Sequence, residues 1–478
     1  MSVVELDISA SPEALFRRIG GTGGAFWIDG QSVSGASFMG FDPGAQLVLR
    51  ADGTLELLGA GARRTLHGDP LEAIEEFVAG APPLPSRAAP HTIGFFAYDL
   101  VGLLESRVRP RRDATCVLPL ALLARYDAVV EVVPDASRNG SGAARVTARI
   151  HGSDAAATAR CAATLRRCAA ASAERTPTPA HGAARLVEAP RADVHRQAVE
   201  RALDYIAAGD VYQVNLAQRF RVRSDDAPAE VYLRLRAAQR VPFGAYLDCG
   251  AFTILCGSPE RFLRVSGASI DTEPIKGTRP RDADPARDAA LHAALLADPK
   301  ERAEHVMIVD LERNDLGRSC VTGSVSVPSL MRVESFATLH HMVSTVRGTL
   351  RSGVGLAELL RTAFPGGSIT GAPKIRAAQV IAELELQPRE LYTGAVAWFR
   401  GAHDFDSAIA IRTAVARDGV YTYHAGGGIL ADSDPGGEYA ECLLKAEPFL
   451  RALRVAPDAV HAASSDAGDD AAAARRRA

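Results

Sequence analysis

Alternation of apolar and polar positions is the first regular feature of the chain. Gln46–Arg50 (Gln-Leu-Val-Leu-Arg) and Val129–Val133 (Val-Val-Glu-Val-Val) carry the two-residue period of strands, whereas Leu71–Val78 has helical spacing. A helix-like Ala-rich stretch begins near Ser153 and passes into a Thr-Pro-punctuated connector ending near Asp193. Beyond it, Val194–Ala208 predicts an amphipathic helix stopped by Gly209, and Val211–Val222 a strand. Strand patterns follow over Ala245–Arg264, Ser269–Thr278 and Ala408–Val415, and helical ones near Ala289–Leu316, Ala372–Leu386 and Gly437–Leu453. Strands and helices do not alternate strictly, so the expected class is α+β with large antiparallel sheets rather than a doubly wound parallel sheet. Residues 1–187 are expected to form an N-terminal domain with its connector, 188–455 a second domain, and 456–478 a disordered tail.

Composition narrows the function classes. The chain has 478 residues, 47% of them hydrophobic, which is enough for a full core. Its net charge is -3 with acidic and basic residues interspersed, so there is no basic stripe to track a phosphate backbone and nucleic acid is not an expected partner. No apolar run approaches the roughly 20 residues of a membrane span, and Met1–Pro12 lacks the pattern of a signal peptide. A cytoplasmic protein without a membrane partner is expected. Seven cysteines are scattered without paired metal spacing, which argues against disulfides and zinc.

The chemistry is concentrated after the connector. Gly209-Asp-Val-Tyr-Gln-Val-Asn-Leu-Ala-Gln218 is followed by Ser258-Pro-Glu-Arg-Phe262, Pro274-Ile-Lys-Gly-Thr278, Lys300-Glu-Arg-Ala-Glu-His305 and Asp310-Leu-Glu-Arg-Asn-Asp-Leu-Gly317. Then come Phe364-Pro-Gly-Gly-Ser-Ile-Thr-Gly-Ala-Pro-Lys374, Ile411-Arg-Thr413 and Ala425-Gly-Gly-Gly-Ile429. In this order the runs resemble the chorismate-binding domain shared by anthranilate, aminodeoxychorismate, isochorismate and salicylate synthases. One short run can be coincidence, but eight in order identify the chain as a member of that family. Before the connector the match is looser, chiefly at Gly94-Phe-Phe-Ala-Tyr-Asp99. The resemblance implies two antiparallel β-sheets packed as a sandwich with flanking helices.

Chorismate carries two carboxylates, an enol ether and a C4 hydroxyl, so its site needs cations, a metal or both. Glu301 and Glu304 stand three apart on one predicted helix, and Glu438 and Glu441 on another, so each pair shares a helix face. Oxygen-only ligation from two helices suits magnesium, and the resemblance makes Glu304 and Glu441 direct ligands with Glu301 and Glu438 close behind. Without the surrounding motifs these would be ordinary solvated helix faces. Lys445 follows Glu441 by one turn. Arg412 lies in the otherwise apolar run Ala408–Val415, where it requires an anion; the resemblance has it hold the enolpyruvyl carboxylate with Tyr392, and an internal salt bridge is the alternative. Backbone amides at Gly427 and Gly428 can approach a ligand closely, or the glycines can form a tight turn. His341 and Thr278 match substrate-side positions of the family. Gly366–Pro373 predicts glycines leading into a helix start whose free amides favour an anion. Glu260 matches the general acid that protonates the departing C4 hydroxyl, which requires a raised pKa; an ion pair with Arg261 or Arg279 is its alternative.

Two positions divide the family by chemistry. Members that add water at C2 carry a lysine base where this chain has Gln213, so amination is expected instead. The residue after Pro-Ile is alanine in typical anthranilate synthases and lysine in aminodeoxychorismate synthases, and here it is Lys276. A neutral Lys276 amine bonded to C2 would leave only C4 for ammonia, and so implies 4-amino-4-deoxychorismate, a step toward 4-aminobenzoate and folate; a fixed counter-charge is the plainer role for this lysine. No cysteine sits in a Gly-x-Cys-x-Gly elbow, so glutamine is expected to be hydrolysed by a separate amidotransferase subunit. Aromatisation to 4-aminobenzoate is expected to belong to a third protein, a pyridoxal-phosphate lyase, and not to the residues after Leu453. Trp27-Ile-Asp-Gly30 lacks the serine of the tryptophan-binding Leu-Leu-Glu-Ser strand of feedback-inhibited relatives. The rival expectations are an anthranilate synthase large subunit and a catalytically silent chorismate-binding subunit.

Overall fold

The computed structural model describes residues 1–29, 37–59, 61–134, 146–170, 184–336 and 339–456. The Thr-Pro part of the expected connector and the expected tail beyond 456 lie outside the described residues. Each of two sheets has 12 strands. Both sheets join strands from either side of position 187: in the first, Trp27 on Phe26–Ile28 pairs with Tyr246 on Phe243–Asp248, and in the second, Gly94 on Thr92–Phe96 pairs with Ala397 on Ala395–Gly401, both antiparallel.

The period-two pattern explains how both faces of each sheet are covered. Phe26 and Ile28 point into the space between the sheets, alongside Ile254, Phe95, Val396 and Trp398, while Trp27 points outward into a second core with Phe16, Tyr232 and Phe449. Ala395, Ala397 and Phe399 turn from the other sheet toward a third core with Leu71, Leu359 and Leu360. The architecture is therefore an α+β sandwich with helices on both outer faces. Asp-Pro pairs start four of these helices, Pro70–Ala79, Pro285–Ala297, Pro299–Gly317 and Pro435–Ala452; each Asp side chain accepts a first-turn N–H and each Pro fills a position whose amide has no helical partner. Such a break at Asp298-Pro299 divides the helical pattern of Ala289–Leu316 into two helices. Among the described residues no helix is long and apolar enough to cross a membrane.

The strand patterns of Ala245–Arg264 and the run Ala408–Val415, expected to be one strand, are each divided where the chain changes sheet. Thr253–Ser258 lies in the first sheet and Arg261–Ser266 in the second; Asp404–Ile409 lies in the second and Thr413–Arg417 in the first. Arg412 is thus not within a strand Ala408–Val415 but in the crossing, at φ 50°. The crossings are neighbours, because Gly257 N–H donates to Arg412 O at 3.0 Å and Ile409 N–H to Glu260 O at 3.0 Å. Beside them Arg261, 6% exposed, holds Asp406, 0% exposed, through Nε at 3.0 Å. Removing the carboxylate leaves a buried guanidinium short of a partner, so Asp406→Ala is expected to cost about 3 to 5 kcal/mol in denaturant unfolding. A loss under about 1 kcal/mol would show that the pair does not hold this corner.

Candidate functional site

Glu260 occupies the first crossing, 4% exposed. Its Oε1 accepts a 2.7 Å hydrogen bond from Ser368 Oγ. Burial pushes its carboxyl up to about 7, against the opposing pull of Ser368, Lys276 and Lys445. The expected alternative, an ion pair with Arg261 or Arg279, is not what forms: Arg261 binds Asp406 and Glu273, and Arg279 binds Asp298 and Glu301. At the second crossing, among the described residues, no carboxylate lies within ion-pair distance of Arg412. Its charge instead helps to hold His341 neutral; burial and Arg412 push that imidazole down to about 4. Tyr392 is bound to this crossing by the backbone, since Thr393 N–H donates to Ala410 O at 3.0 Å. Its ring stacks on His424 at 5.3 Å.

Lys276 and Thr278 lie on the edge strand Ile275–Pro280, which pairs with Leu339–Thr349 through a bulge. Gly277 makes the bulge possible at φ 79°, where a Cβ would also meet Leu295 Cδ1 at 2.9 Å and Glu301 Oε2 at 3.0 Å. The bulge sets Thr278 opposite His341, and Thr278 Oγ1 lies 3.0 Å from His341 Nδ1. Burial lowers the pKa of Lys276, while the charges of Glu260, Glu304 and Glu441 oppose that fall and Lys445 reinforces it.

Gly426–Gly428 form no tight turn. They belong to the strand Val420–Ile429, paired antiparallel with Gln213–Arg223. A Cβ on Gly428 would come within 2.4 Å of Gln213 Nε2, and one on Gly427 within 2.9 Å of Glu438 Oε2 and 3.9 Å of Lys445 Nζ. The bare backbone lets the helix carrying Glu438, Glu441 and Lys445 lie against the strand. Lys445 Nζ donates to Gly426 O at 2.8 Å and pairs with Glu441 Oε1 at 2.7 Å. Gln213 is fully buried and donates to Asn215 Oδ1 at 3.2 Å, while its own Oε1 has no protein partner.

Both glutamate pairs lie near helix N-termini, on Pro299–Gly317 and Pro435–Ala452, and a Lys300–Asp432 ion pair of 3.1 Å ties the two ends together. Glu301 accepts from Arg279 at 3.0 Å and Glu438 from Ser433 at 2.6 Å. Glu304 and Glu438 are raised above the ordinary carboxylate range, first by burial and then by the neighbouring carboxylates Glu301 and Glu441 respectively. Crowded oxygen donors of this kind favour a hard divalent cation. Among the described residues no group of three His, Cys, Asp or Glu side chains converges as a ready metal cage.

The segment Gly366–Pro373 differs from the expected helix start. A short 3-10 turn, Gly367–Ile369, and a two-residue strand, Gly371–Ala372, precede the helix Lys374–Leu384, and the Ser368 N–H is taken by Glu312 Oε1 at 3.2 Å. Ser368 and Glu312 lie inside the motifs read from the sequence, but nothing in spacing reveals that the two meet. Arg389 lies outside the runs that carry the family resemblance: it forms a buried pair with Glu385 at 2.6 Å and donates to Asn215 O at 2.9 Å, bracing the strand that carries Gln213.

The family model for chorismate binding enzymes matches residues 23–451. Aminodeoxychorismate synthase component 1 of Klebsiella aerogenes is 47% identical over 249 residues, covering 52% of this chain and 55% of that protein. Anthranilate synthase component 1 of Aquifex aeolicus is 45% identical over 260 residues, covering 54% and 53%. The matched segment therefore spans about half the length of these curated relatives. Among solved structures, anthranilate synthase component I from Streptococcus pneumoniae superposes with a TM-score of 0.71 at 30% identity, over 87% of this chain and 92% of that one. The menaquinone-specific isochorismate synthase of Escherichia coli, at 18% identity and TM-score 0.66, shares the fold.

Proposed function

This chain belongs to the chorismate-binding enzyme family, and on that premise we propose that it converts chorismate and ammonia to 4-amino-4-deoxychorismate. Overall identity does not separate the aminating branches, since relatives named for either product stand at 42 to 47%. The observation that carries the reading is Lys276, whose amine shares a buried neighbourhood with the Glu260 carboxyl. The catalytic part is assigned to 188–455, and the site residues fall between Gln213 and Lys445.

In the reaction proposed, the Lys276 Nζ lone pair forms a bond to C2, the ring double bond shifts, and the C4–O bond breaks with the proton of Glu260 carried off in water. With C2 blocked, ammonia bonds to C4, the double bond shifts back and the C2–N bond to lysine breaks; Glu260 recovers a proton from the incoming ammonium. Arg412, Tyr392 and Thr278 orient the substrate's anionic and hydroxyl groups, with neutral His341 beside the ring. Magnesium, held by Glu304 and Glu441 with Glu301 and Glu438 behind, would supply positive charge to a substrate carboxylate.

Ammonia is proposed to come from glutamine through a separate amidotransferase subunit. Burial pushes the Cys161 and Cys442 thiols up to about 12, the reverse of an activated nucleophile. The test is incubation with chorismate, magnesium and ammonium, followed by identification of the product by mass. Anthranilate with pyruvate would favour the anthranilate synthase reading, and unchanged chorismate a silent subunit.

A pH dependence follows from the two reacting groups. Glu260 must be protonated and Lys276 neutral, and this is one tautomer of the singly protonated pair. If Lys276 remains the weaker acid, the pair enters that state as pH rises through the Glu260 value of about 7 and leaves it as the lysine deprotonates. A kcat/KM profile that is expected to be bell-shaped, with its acidic limb near pH 7, checks the pairing. A rate that declines steadily above pH 5 would contradict it.

A further inference from the structure

We propose that Glu312 is a positioning residue for Glu260: a carboxylic acid held in its neutral form behind the site, which fixes the turn Gly367–Ile369 and, through Ser368, the orientation of the Glu260 carboxyl. The inference rests on the reading of Glu260 as the acid of the reaction.

The helix Pro299–Gly317 presents Glu312 and Asp315, each 4% exposed, to that turn. The approach is close enough that a Cβ on Gly367 would lie 2.5 Å from Leu311 Cδ2 and 3.4 Å from Asp315 Oδ2. Ser368 then bridges two carboxyls. Its backbone N–H donates to Glu312 Oε1 at 3.2 Å, and its hydroxyl donates to Glu260 Oε1 at 2.7 Å. Asn215 Nδ2 holds the same residue by its carbonyl, at 3.1 Å.

Counting charges decides the state of Glu312. Three buried carboxyls, those of Glu260, Glu312 and Asp315, share this space with the cation of Lys374. That cation is engaged by Asp315 at 2.6 Å and spends a further hydrogen bond on Ala363 O at 2.8 Å. Arg318 also acts on Asp315, and Lys276 lies on the substrate side of Glu260. Glu312 is left with the Ser368 N–H and two neighbouring carboxyls, a setting in which a buried charge takes up a proton instead. The titration directions agree: burial and then Asp315 raise Glu312, Glu260 adds to this, and Lys374 opposes. A neutral carboxylic acid and a carboxamide have nearly the same shape and both can accept the Ser368 N–H, so glutamine should serve in its place.

The experiment compares the parent chain with Glu312→Gln and Glu312→Ala. Glu312→Gln is expected to keep kcat within about threefold of the parent, because partners and volume are retained. Glu312→Ala is expected to lose about 10- to 100-fold in kcat with little change in KM, because the acid is no longer aligned. Its kcat/KM profile should also shift its acidic limb, whereas that of Glu312→Gln should not. Independently of turnover, the infrared spectrum at neutral pH should contain a protonated-carboxyl C=O stretch that Glu312→Gln removes. A Glu312→Gln enzyme as impaired as Glu312→Ala, or a substitution that removes carboxylate bands instead, overturns the inference. Failure of the parent to consume chorismate strikes the proposed reaction, and the infrared band then decides the state of Glu312 alone.

Discussion

Lys276→Ala is expected to lower formation of the aminated product by at least about 10³-fold, and Lys276→Arg is expected not to restore it. Arginine keeps the positive charge but offers no neutral amine at any working pH, so the pair of variants separates a nucleophile from a counter-charge. The structure bears on the expectation in two ways. Burial pulls the Lys276 pKa down, in the direction a nucleophile needs, and the Gly277 bulge holds the strand where the lysine shares its surroundings with Glu260. Both variants should fold, because Lys276 is at an edge strand and forms no ion pair shorter than 4 Å among the described residues. In the wild-type chain starved of ammonia, peptide mass analysis should reveal a substrate adduct on the peptide containing Lys276. A near-active Lys276→Arg chain with no adduct in the wild type would end the covalent mechanism, while the assignment of the substrate site, which rests on other residues, would stand.

Glu304→Gln or Glu441→Gln should lower turnover by at least about 100-fold at low magnesium and recover partly with excess. Each change removes one negative charge at nearly constant volume, so the effect belongs to the metal and not to packing. Glu441 is the harder case. It pairs with Lys445, so its loss also frees an ammonium beside the glycine strand, whereas Glu304 is raised by burial and by Glu301 and loses only charge. Titration of magnesium by calorimetry in the presence of chorismate provides a readout apart from turnover. Near-normal rates for both variants at low magnesium would remove the metal assignment.

Glu301, Glu304, Glu438 and Glu441 were legible as pairs because helical spacing is local: residues three apart meet on one face whatever surrounds the helix. The same holds for the alternation read at Gln46–Arg50 and Val129–Val133, where strands form at Ala45–Leu49 and Ala128–Pro134. Family motifs added the candidates Glu260, Lys276 and Arg412, because those residues sit in short contiguous runs. The two crossings were not legible. Ala408–Val415 looks like unbroken strand, and the strand patterns of Ala245–Arg264 do not mark the change of sheet, because both sheets bury both faces and the apolar pattern continues while the chain changes partner. Which sheet a strand joins is set by pairing with segments far away in sequence, as when Cys256 meets Thr413 and Arg261 meets Ala408. For the same reason the tight turn left open as the alternative for Gly426–Gly428 is replaced by a strand packed beneath a helix. The sequence by itself determined which residue types and local elements the site would contain. Only the tertiary structure decided that Glu260 and Arg412 stand at adjoining corners, and that Ser368 joins Glu260 to Glu312, because a hydrogen bond between residues more than fifty positions apart depends on packing that no local period encodes.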